Sequence, residues 1–189
     1  MKNRKGNDMK TYLYLVRHAH SVYTPDELNR PLSERGMQDA HKLTNKLENE
    51  QIEVVCSSPY KRAVQTVEGL ANNHDILLVE GFKERLLSSH PVDDFDAAIT
   101  KVWENPSFSF KGGESNLFAQ ERGVKATLAL LEKYKGKRVA IGTHGNIMTL
   151  IMNHFDKRYD YCFWKELEMP DVYKLTFEED KLLNVEKAV

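Results

Sequence analysis

The stretch TYLYLVRHAHS, residues 11–21, joins an apolar run to an arginine and two histidines. Aromatic and β-branched side chains dominate residues 11–16, and no glycine or proline interrupts them, which predicts a β-strand. Because the run is almost continuously apolar, we expect both faces of this strand to be buried, as in a sheet that is covered by helices. The strand would then deliver Arg17 and His18 to one end of that sheet.

Predicted strands and helices alternate along the rest of the chain. Further strands are expected at residues 53–58 and 76–79, a strand, turn and helix at 137–155 with the turn near 143–145, and a late hairpin of 171–177 with 182–187 across a turn at 178–180. One helix is expected from Ser33 as N-cap to about residue 50, and a second begins with Ser58 as N-cap and Pro59 at the first helical position. A third is expected over residues 91–105, and a fourth, longer helix has an apolar face of Leu117, Val124, Leu128 and Leu131. This alternation predicts an α/β fold with three layers, α/β/α, around a mostly parallel central sheet.

The amino-acid composition limits the classes of partner and of site that the protein is expected to have. Lysine and arginine number 27 against 28 aspartates and glutamates in 189 residues, so neither a nucleic acid nor a membrane is indicated as a partner. Two cysteines, Cys56 and Cys162, are too few for a disulfide framework or a zinc cluster. We expect a cytoplasmic protein, because the N-terminal residues lack the apolar stretch of a signal peptide. The expected organisation is a flexible tail over residues 1–10 and one domain over 11–189, with a small cap around 82–115.

Three predicted strands end in polar side chains. The first ends at Arg17 and His18, the second at Ser57 and Ser58, and a later one at Thr143 and His144. Ligands of open α/β sheets bind beyond the carboxyl ends of the strands, so these residues are expected to share one rim.

The residue types at this rim suit a phosphate group. Arg62 falls in the first turn of a predicted helix, and a guanidinium offers a planar fork that matches two phosphoryl oxygens. His144 and Gly145 lie where another helix begins, at which free backbone amides favour anions. We expect Arg17, Arg62 and His144 to surround one dianionic group.

His18 would act as the nucleophile in this setting. Nearby cations disfavour its protonated form, which leaves a ring nitrogen able to attack phosphorus. A proton donor for the departing alkoxide is also needed, and Glu84, just after the third predicted strand, is the best-placed carboxylic acid. Glu80 is a nearby rival for this role.

Five blocks of sequence, in this order, resemble the histidine phosphatase superfamily, which has the phosphoglycerate mutase-like fold. They are LVRHAHS at 15–21, SSPYKRAVQT at 57–66, FKE at 82–84, GGES at 112–115 and GTHGN at 142–146. The resemblance implies that His18 carries the phosphoryl group, that Arg62 and His144 lie in the phosphate pocket, and that Glu84 is the acid and base. It also implies a metal-independent enzyme of the histidine acid type, with no cofactor.

The sequence departs from the family pattern near the nucleophile. Ala19 replaces the usual glycine, His20 replaces an acidic residue or glutamine, and Thr24 stands where many members have an asparagine that touches phosphate. Ser21 and Thr24 are candidate phosphate contacts through their hydroxyls, and His20 is a candidate substrate contact. The basic insert with which mutases hold a second phosphate has no match, which favours a phosphatase of the superfamily over a mutase.

The leading interpretation is a phosphomonoester hydrolase that acts through phosphorylated His18 on a small phosphorylated metabolite. Two alternatives stay open, a mutase-type phosphotransferase and a weakly catalytic member that binds a phosphorylated ligand. A zinc-dependent hydrolase that uses His18 and His20 as ligands is a further alternative, but the chain is short for the barrel in which such sites occur. The sequence predicts neither the individual phosphate ester nor the oligomeric state.

Overall fold

A six-stranded sheet forms the centre of the protein in a computed structural model that describes residues 9–189. The strands are β1 (Lys10–Arg17), β2 (Val54–Ser57), β3 (Leu77–Leu78), β4 (Arg138–Thr143), β5 (Asp171–Glu178) and β6 (Lys181–Lys187). The helices are α1 (Glu34–Leu47), α2 (Lys61–Val67), α3 (Phe95–Glu104), α4 (Asn116–Lys133), α5 (Gly145–Phe155) and α6 (Tyr161–Glu166), with short 3₁₀ turns at Glu48–Glu50, Glu68–Ala71 and Glu80–Phe82.

The strand order is β3-β2-β4-β1-β5-β6, and the first four strands run parallel. The predicted hairpin of β5 and β6 continues the sheet in antiparallel pairing with β1, so the mostly parallel sheet is confirmed. The register pairs Arg17 with Thr143 and Ser57 with Gly142. The carboxyl ends of β1, β2 and β4 therefore meet at one edge, as the sequence predicted.

Helices cover both faces of the sheet. Leu13 and Leu15 of β1 pack into a core cluster with residues of α4 and α5, whereas Tyr14 and Val16 pack into a second cluster with residues of α1 and α2. All four side chains are fully buried. The continuous apolar run of β1 is thus explained by burial on both faces, and the three-layer α/β/α arrangement is confirmed.

Two predicted helix starts are wrong, and one is confirmed. Ser33 caps α1 by accepting a 3.0 Å hydrogen bond from the Gly36 amide. The helix after β2 begins at Lys61 rather than at Pro59, because Ser58 turns its hydroxyl toward the rim of the sheet. The helix predicted over 91–105 begins only at Phe95, where the side chain of Asp94 supplies the cap.

The predicted apolar face of α4 is wrong in half of its members. Leu117 and Leu128 are 46% and 38% exposed, whereas Val124 and Leu131 are buried. At Gly123, a Cβ atom would lie only 2.7 Å from a side-chain carbon of Ile151 in α5. Close packing of α4 against α5 therefore requires a small residue at the contact. The spacing of large apolar residues does not reveal this contact.

The N-terminal prediction is also corrected. Lys10, placed in a flexible tail, is the first residue of β1, and residues 1–8 lie outside the described part of the chain. The sequence did not predict α6. No helix within residues 9–189 is both long enough and apolar enough to cross a membrane.

Candidate active site

His18 leaves the end of β1 with a defined ring orientation. Its backbone amide donates to the carbonyl of Thr143 at 3.0 Å, which fixes the residue at the rim of the sheet. Its Nδ1 lies 2.8 Å from the carbonyl oxygen of Ala19, and only a protonated Nδ1 can donate to that acceptor. The other nitrogen, Nε2, therefore presents a lone pair.

The environment of His18 keeps the ring neutral. The residue is 8% exposed, and this burial lowers the pKa of His18 to about 3 against the opposing effect of the bond to Ala19. The positive charges of Arg62, Arg17 and Arg30 lower the pKa further. At neutral pH the imidazole is consequently uncharged and its Nε2 is unprotonated.

Ala19 fits where the family pattern has glycine. It is fully buried, and its amide donates to the hydroxyl of Thr66 at 3.0 Å. Ala19 is not among the residues with positive φ in the described chain, so its methyl group causes no backbone strain.

Arg62 is the second residue of α2 and points back to the rim. Its Nε lies 3.3 Å from Nε2 of His18, and its guanidinium stacks over the ring of Tyr60 at 4.8 Å. Glu27 contacts the other end of the group, with its carbonyl oxygen 2.8 Å from Nη1 and its carboxylate 3.1 Å from Nη2. Arg62, which the sequence placed at the same rim as His18, thus lies beside it.

Arg17 is held by two backbone carbonyls. Its Nη1 donates to the carbonyls of Leu167 at 2.6 Å and Glu168 at 3.1 Å, and its Nε is buried without a partner among residues 9–189. A Cβ at Gly145 would lie 3.0 Å from this Nε, so glycine is what allows the guanidinium to pass the first turn of α5. Burial lowers the pKa of Arg17, and the carboxylates of Glu84 and Asp171 oppose that effect.

His144 completes the group as the residue that precedes α5. It is fully buried, its ring centroid lies 5.2 Å from that of His18, and its Nε2 lies 2.9 Å from the hydroxyl of Ser58. Burial lowers its pKa well below the ordinary value, and His18 and Arg62 add to the effect. Arg17, His18, Arg62 and His144 are here called the histidine–arginine cluster; three of them are buried and Arg17 is half-buried.

Glu84 contacts the start of α5 beside this cluster. Its carboxylate accepts hydrogen bonds from the amides of Arg85 at 2.8 Å, Ile147 at 3.0 Å and Asn146 at 3.1 Å. Glu80 instead has a side chain that is 74% exposed and pairs with Lys83. The structure therefore brings Glu84, and not its rival Glu80, to the helix end that follows His144.

A cleft of about 760 Å³ opens beside Glu84. Its lining includes Tyr60, Leu86, Gly113 and Phe118. Tyr60 also packs edge-on against His144 at 5.0 Å, so the cleft and the histidine–arginine cluster share a wall.

Three predicted contacts lie in the loop of residues 19–32, here called the rim loop, and the structure does not join them to the cluster. Nδ1 of His20 lies 2.8 Å from the hydroxyl of Ser33, the hydroxyl of Thr24 donates to the carbonyl of Asp26 at 3.0 Å, and Ser21 forms an isolated bridge with Leu32. His20 thus contacts the N-cap residue of α1, whereas Thr24 bonds within the rim loop.

Three residues of the site were not singled out in the sequence, and a fourth, Ser58, was expected at the rim without a chemical role. Ser58 contacts His144, Glu27 contacts Arg62, Arg30 lowers the pKa of His18, and Arg85 follows Glu84 with a side chain that is 5% exposed. The position of Ser58 at a strand end was a usable signal. Glu27 and Arg30 lie in an irregular loop, where no periodicity indicates which side chains turn inward.

The zinc alternative lacks a ligand set. Within residues 9–189, no three histidine, cysteine, aspartate or glutamate side chains are grouped so as to hold a metal ion. His18 and His20 also direct their Nδ1 atoms to different partners, Ala19 and Ser33.

Residues 13–187 match the family model of the histidine phosphatase superfamily (branch 1). The chain belongs to this superfamily. The resemblance inferred from the five sequence blocks is confirmed, and the match covers every strand of the sheet except the first residues of β1.

Two curated proteins are similar to this chain in sequence. Phosphoserine phosphatase 1 of Hydrogenobacter thermophilus is 28% identical over 166 residues, which is 79% of this chain and 74% of the relative. A metal-independent phosphoserine phosphatase of Arabidopsis thaliana is 28% identical over 159 residues, which is 75% of this chain and 67% of the relative.

Solved structures share the fold. YhfR of Bacillus stearothermophilus superposes with a TM-score of 0.77 at 23% identity, over 92% of this chain and 94% of that one. Phosphoserine phosphatase of Entamoeba histolytica in complex with phosphoserine gives a TM-score of 0.78 at 16% identity, over 94% and 96% of the two chains. A mycobacterial glucosyl-3-phosphoglycerate phosphatase gives 0.76 at 18% identity, over 95% and 98%.

Proposed function

We propose that this histidine phosphatase superfamily member is a phosphatase of small phosphorylated metabolites, and that it forms a phosphohistidine on His18 without a metal ion. The observation that carries the proposal is the buried, neutral imidazole of His18, whose Nε2 faces the guanidinium of Arg62. The names of the sequence relatives, both phosphoserine phosphatases, support a phosphate ester as substrate.

The phosphoryl group of the substrate would bind among the cationic and N–H donors of the cluster. Arg17 and Arg62 neutralise the dianion, and the amide of Gly145 at the start of α5 would add a donor, since the next two amides, of Asn146 and Ile147, are bonded to Glu84. His144, which is neutral, donates one hydrogen bond. Such fixed donors stabilise the charge that spreads over the phosphoryl oxygens in the transition state.

Catalysis would take place in two displacements. In the first, Nε2 of His18 forms a bond to phosphorus while the P–O ester bond breaks, and protonated Glu84 gives its proton to the departing alkoxide. In the second, the Glu84 carboxylate takes a proton from water, the water oxygen bonds to phosphorus, and the P–N bond to His18 breaks. Orthophosphate leaves, and both side chains return to their starting states.

Glu84 suits the acid role better than Glu80 because of where it is fixed. Three backbone amides orient its carboxylate at the start of α5, and both Glu84 and Glu80 line the cleft that would receive the leaving group. Glu80 is exposed and paired with Lys83.

A phosphatase is favoured over a mutase by the charges in the cleft. Lys83 is paired with Glu80, and Arg122 is paired with Glu114 at 2.7 Å, so neither cation is available to hold a second phosphate without breaking its pair. Residues around 82–115, which carry most of this lining, would act as the cap of a single domain over residues 11–189.

The proposal is tested with a panel of phosphate esters that includes phosphoserine, 3-phosphoglycerate and an aryl phosphate, assayed with a chelator present. Wild-type protein should release orthophosphate, His18→Ala should lose at least about three orders of magnitude in kcat/KM, and vanadate should compete with substrate. Circular dichroism verifies that His18→Ala is folded. Turnover by folded His18→Ala close to the wild-type rate would reject His18 as the nucleophile.

A further inference from the structure

The guanidinium of Arg62 contacts Glu27 of the rim loop at its outer end. Its side chain is 5% exposed, and Glu27 of the rim loop contacts both outer nitrogens: the backbone carbonyl accepts a hydrogen bond from Nη1 at 2.8 Å, and the carboxylate forms an ion pair with Nη2 at 3.1 Å. On the other side, Nε is directed at Nε2 of His18. The rim loop therefore contacts the outer end of the guanidinium, and His18 contacts its Nε.

We propose that Glu27 is a positioning residue, which fixes the guanidinium plane of Arg62 so that Nε and the inner hydrogen of Nη2 face the phosphoryl group on its way to His18. The proposal rests on the phosphatase function given above. A guanidinium has five N–H donors in a rigid plane, so holding the outer nitrogens also sets the direction of the remaining donors. Glu27 itself need not touch the substrate.

The role matters because the guanidinium of Arg62 is carried by a long, flexible side chain at the beginning of a short helix. Small misplacements of a group that stabilises a transition state cost large factors in rate. The contact with Tyr60 restrains the guanidinium in one direction only, since it lies over the ring at 4.8 Å and is still able to turn within its own plane. The two acceptors of Glu27 restrain that rotation.

The rim loop is anchored independently of the Glu27 side chain. The amide of Lys61 donates to the carbonyl of Leu28 at 2.9 Å, and the amide of Leu32 donates to the side chain of Gln65 at 2.9 Å. Removing the carboxylate of Glu27 leaves these two anchors in place, but it also releases Arg30 of the same loop, which is paired with this carboxylate.

The opposite role for Glu27 is that of a competitor. A carboxylate on Arg62 repels the incoming dianion, and on that account its removal would tighten substrate binding and raise kcat/KM. Positioning and competition thus predict changes of opposite sign.

The test compares Glu27→Gln and Glu27→Ala with wild type on the best ester of the panel. We expect Glu27→Ala to lower kcat by about 10- to 100-fold with KM changed less than about threefold, and Glu27→Gln, which keeps an acceptor oxygen, to stay within about threefold of wild type. Affinity for vanadate, which mimics the transition state, should fall together with kcat, while inhibition by orthophosphate stays nearly constant. Asp39→Asn serves as the matched control, because Asp39 is also a carboxylate paired with an arginine, Arg35 on α1.

The outcomes separate the two proposals. Loss of all activity in His18→Ala together with unchanged or higher kcat/KM in Glu27→Ala keeps the phosphatase and overturns the positioning role. Equal losses in the Gln and Ala variants also overturn it, because an acceptor oxygen would then not suffice. If wild type hydrolyses no ester of the panel, vanadate and orthophosphate binding to the three proteins still reports whether Glu27 orients Arg62.

Discussion

Glu84→Gln tests whether the carboxylate at the start of α5 is a proton donor. The substitution keeps the shape of the side chain but removes its titratable proton. It also replaces one acceptor oxygen by an NH₂ group at a place where three backbone amides converge at 2.8 to 3.1 Å. The variant therefore loses the acid and at least one hydrogen bond at the same time.

The two losses have different sizes and different readouts. A general acid contributes about 10²- to 10⁴-fold, which corresponds to about 3 to 5 kcal/mol in activation free energy. An unpaired amide at the helix end costs about 1 to 3 kcal/mol and appears in the free energy of unfolding. An alkyl phosphate needs the proton because an alkoxide is a poor leaving group, whereas p-nitrophenolate leaves without it.

The assay measures kcat/KM of Glu84→Gln on an alkyl phosphate and on p-nitrophenyl phosphate. The ratio kcat/KM reports the first displacement, in which the leaving group departs, and excludes the later hydrolysis of the phosphohistidine. We expect the alkyl ester to lose about 10² times more than the aryl ester. Glu80→Gln is the matched control and should show no dependence on the leaving group, since its carboxylate is exposed and paired with Lys83. Equal losses on the two esters, or a leaving-group dependence in Glu80→Gln, would refute the assignment of Glu84.

Four further predictions concern the histidine–arginine cluster. The imidazole resonances of His18 in the free protein should not titrate between pH 5 and 8, because its pKa is lowered to about 3, and a midpoint near 6.5 in NMR spectra would contradict this. Below pH 6.5 the imidazole of His18 binds a proton in the unfolded chain but not in the folded chain. As the pH falls from 7 to 5, this residue should therefore lower the free energy of unfolding by about 2 kcal/mol. Urea unfolding of His18→Ala should show a smaller decrease over the same range. Arg62→Lys should lower kcat/KM about 10²-fold, because lysine cannot copy the planar fork, and a vanadate affinity equal to wild type would count against that role. Ser58→Ala removes the 2.9 Å contact to Nε2 of His144 and should reduce kcat by about 10-fold, with the far-ultraviolet circular dichroism unchanged.

The parts of the site that lie at strand ends were predictable from sequence. The apolar run of β1 predicts a doubly covered strand, and parallel strands bring their carboxyl ends to one edge, so His18 and His144 could be expected together. Arg62 followed from its place at the beginning of a helix. In each case, a local pattern and one topological rule were sufficient.

The parts that depend on long-range packing were not predictable. The exposure of Leu117 and Leu128 follows from how closely α4 approaches α5, which Gly123 permits but no periodicity shows. The contact between Glu27 and Arg62 joins residues 35 positions apart through an irregular loop. Helix α2 begins at Lys61, and the hydroxyl of Ser58, expected to cap it, contacts His144, 86 positions away, as well as the amide of Tyr60.

The central claim is that the phosphoryl group passes through His18, and a trapped phosphoenzyme tests it most directly. Wild-type protein is mixed with a labelled phosphate ester, quenched within milliseconds in alkali, and digested for mass spectrometry, since a phosphohistidine survives base and is lost in acid. The account predicts one phosphoryl group on the imidazole of His18, formed and lost at rates consistent with turnover. Turnover without any phosphoenzyme, or a phosphoryl group on another residue, would contradict it.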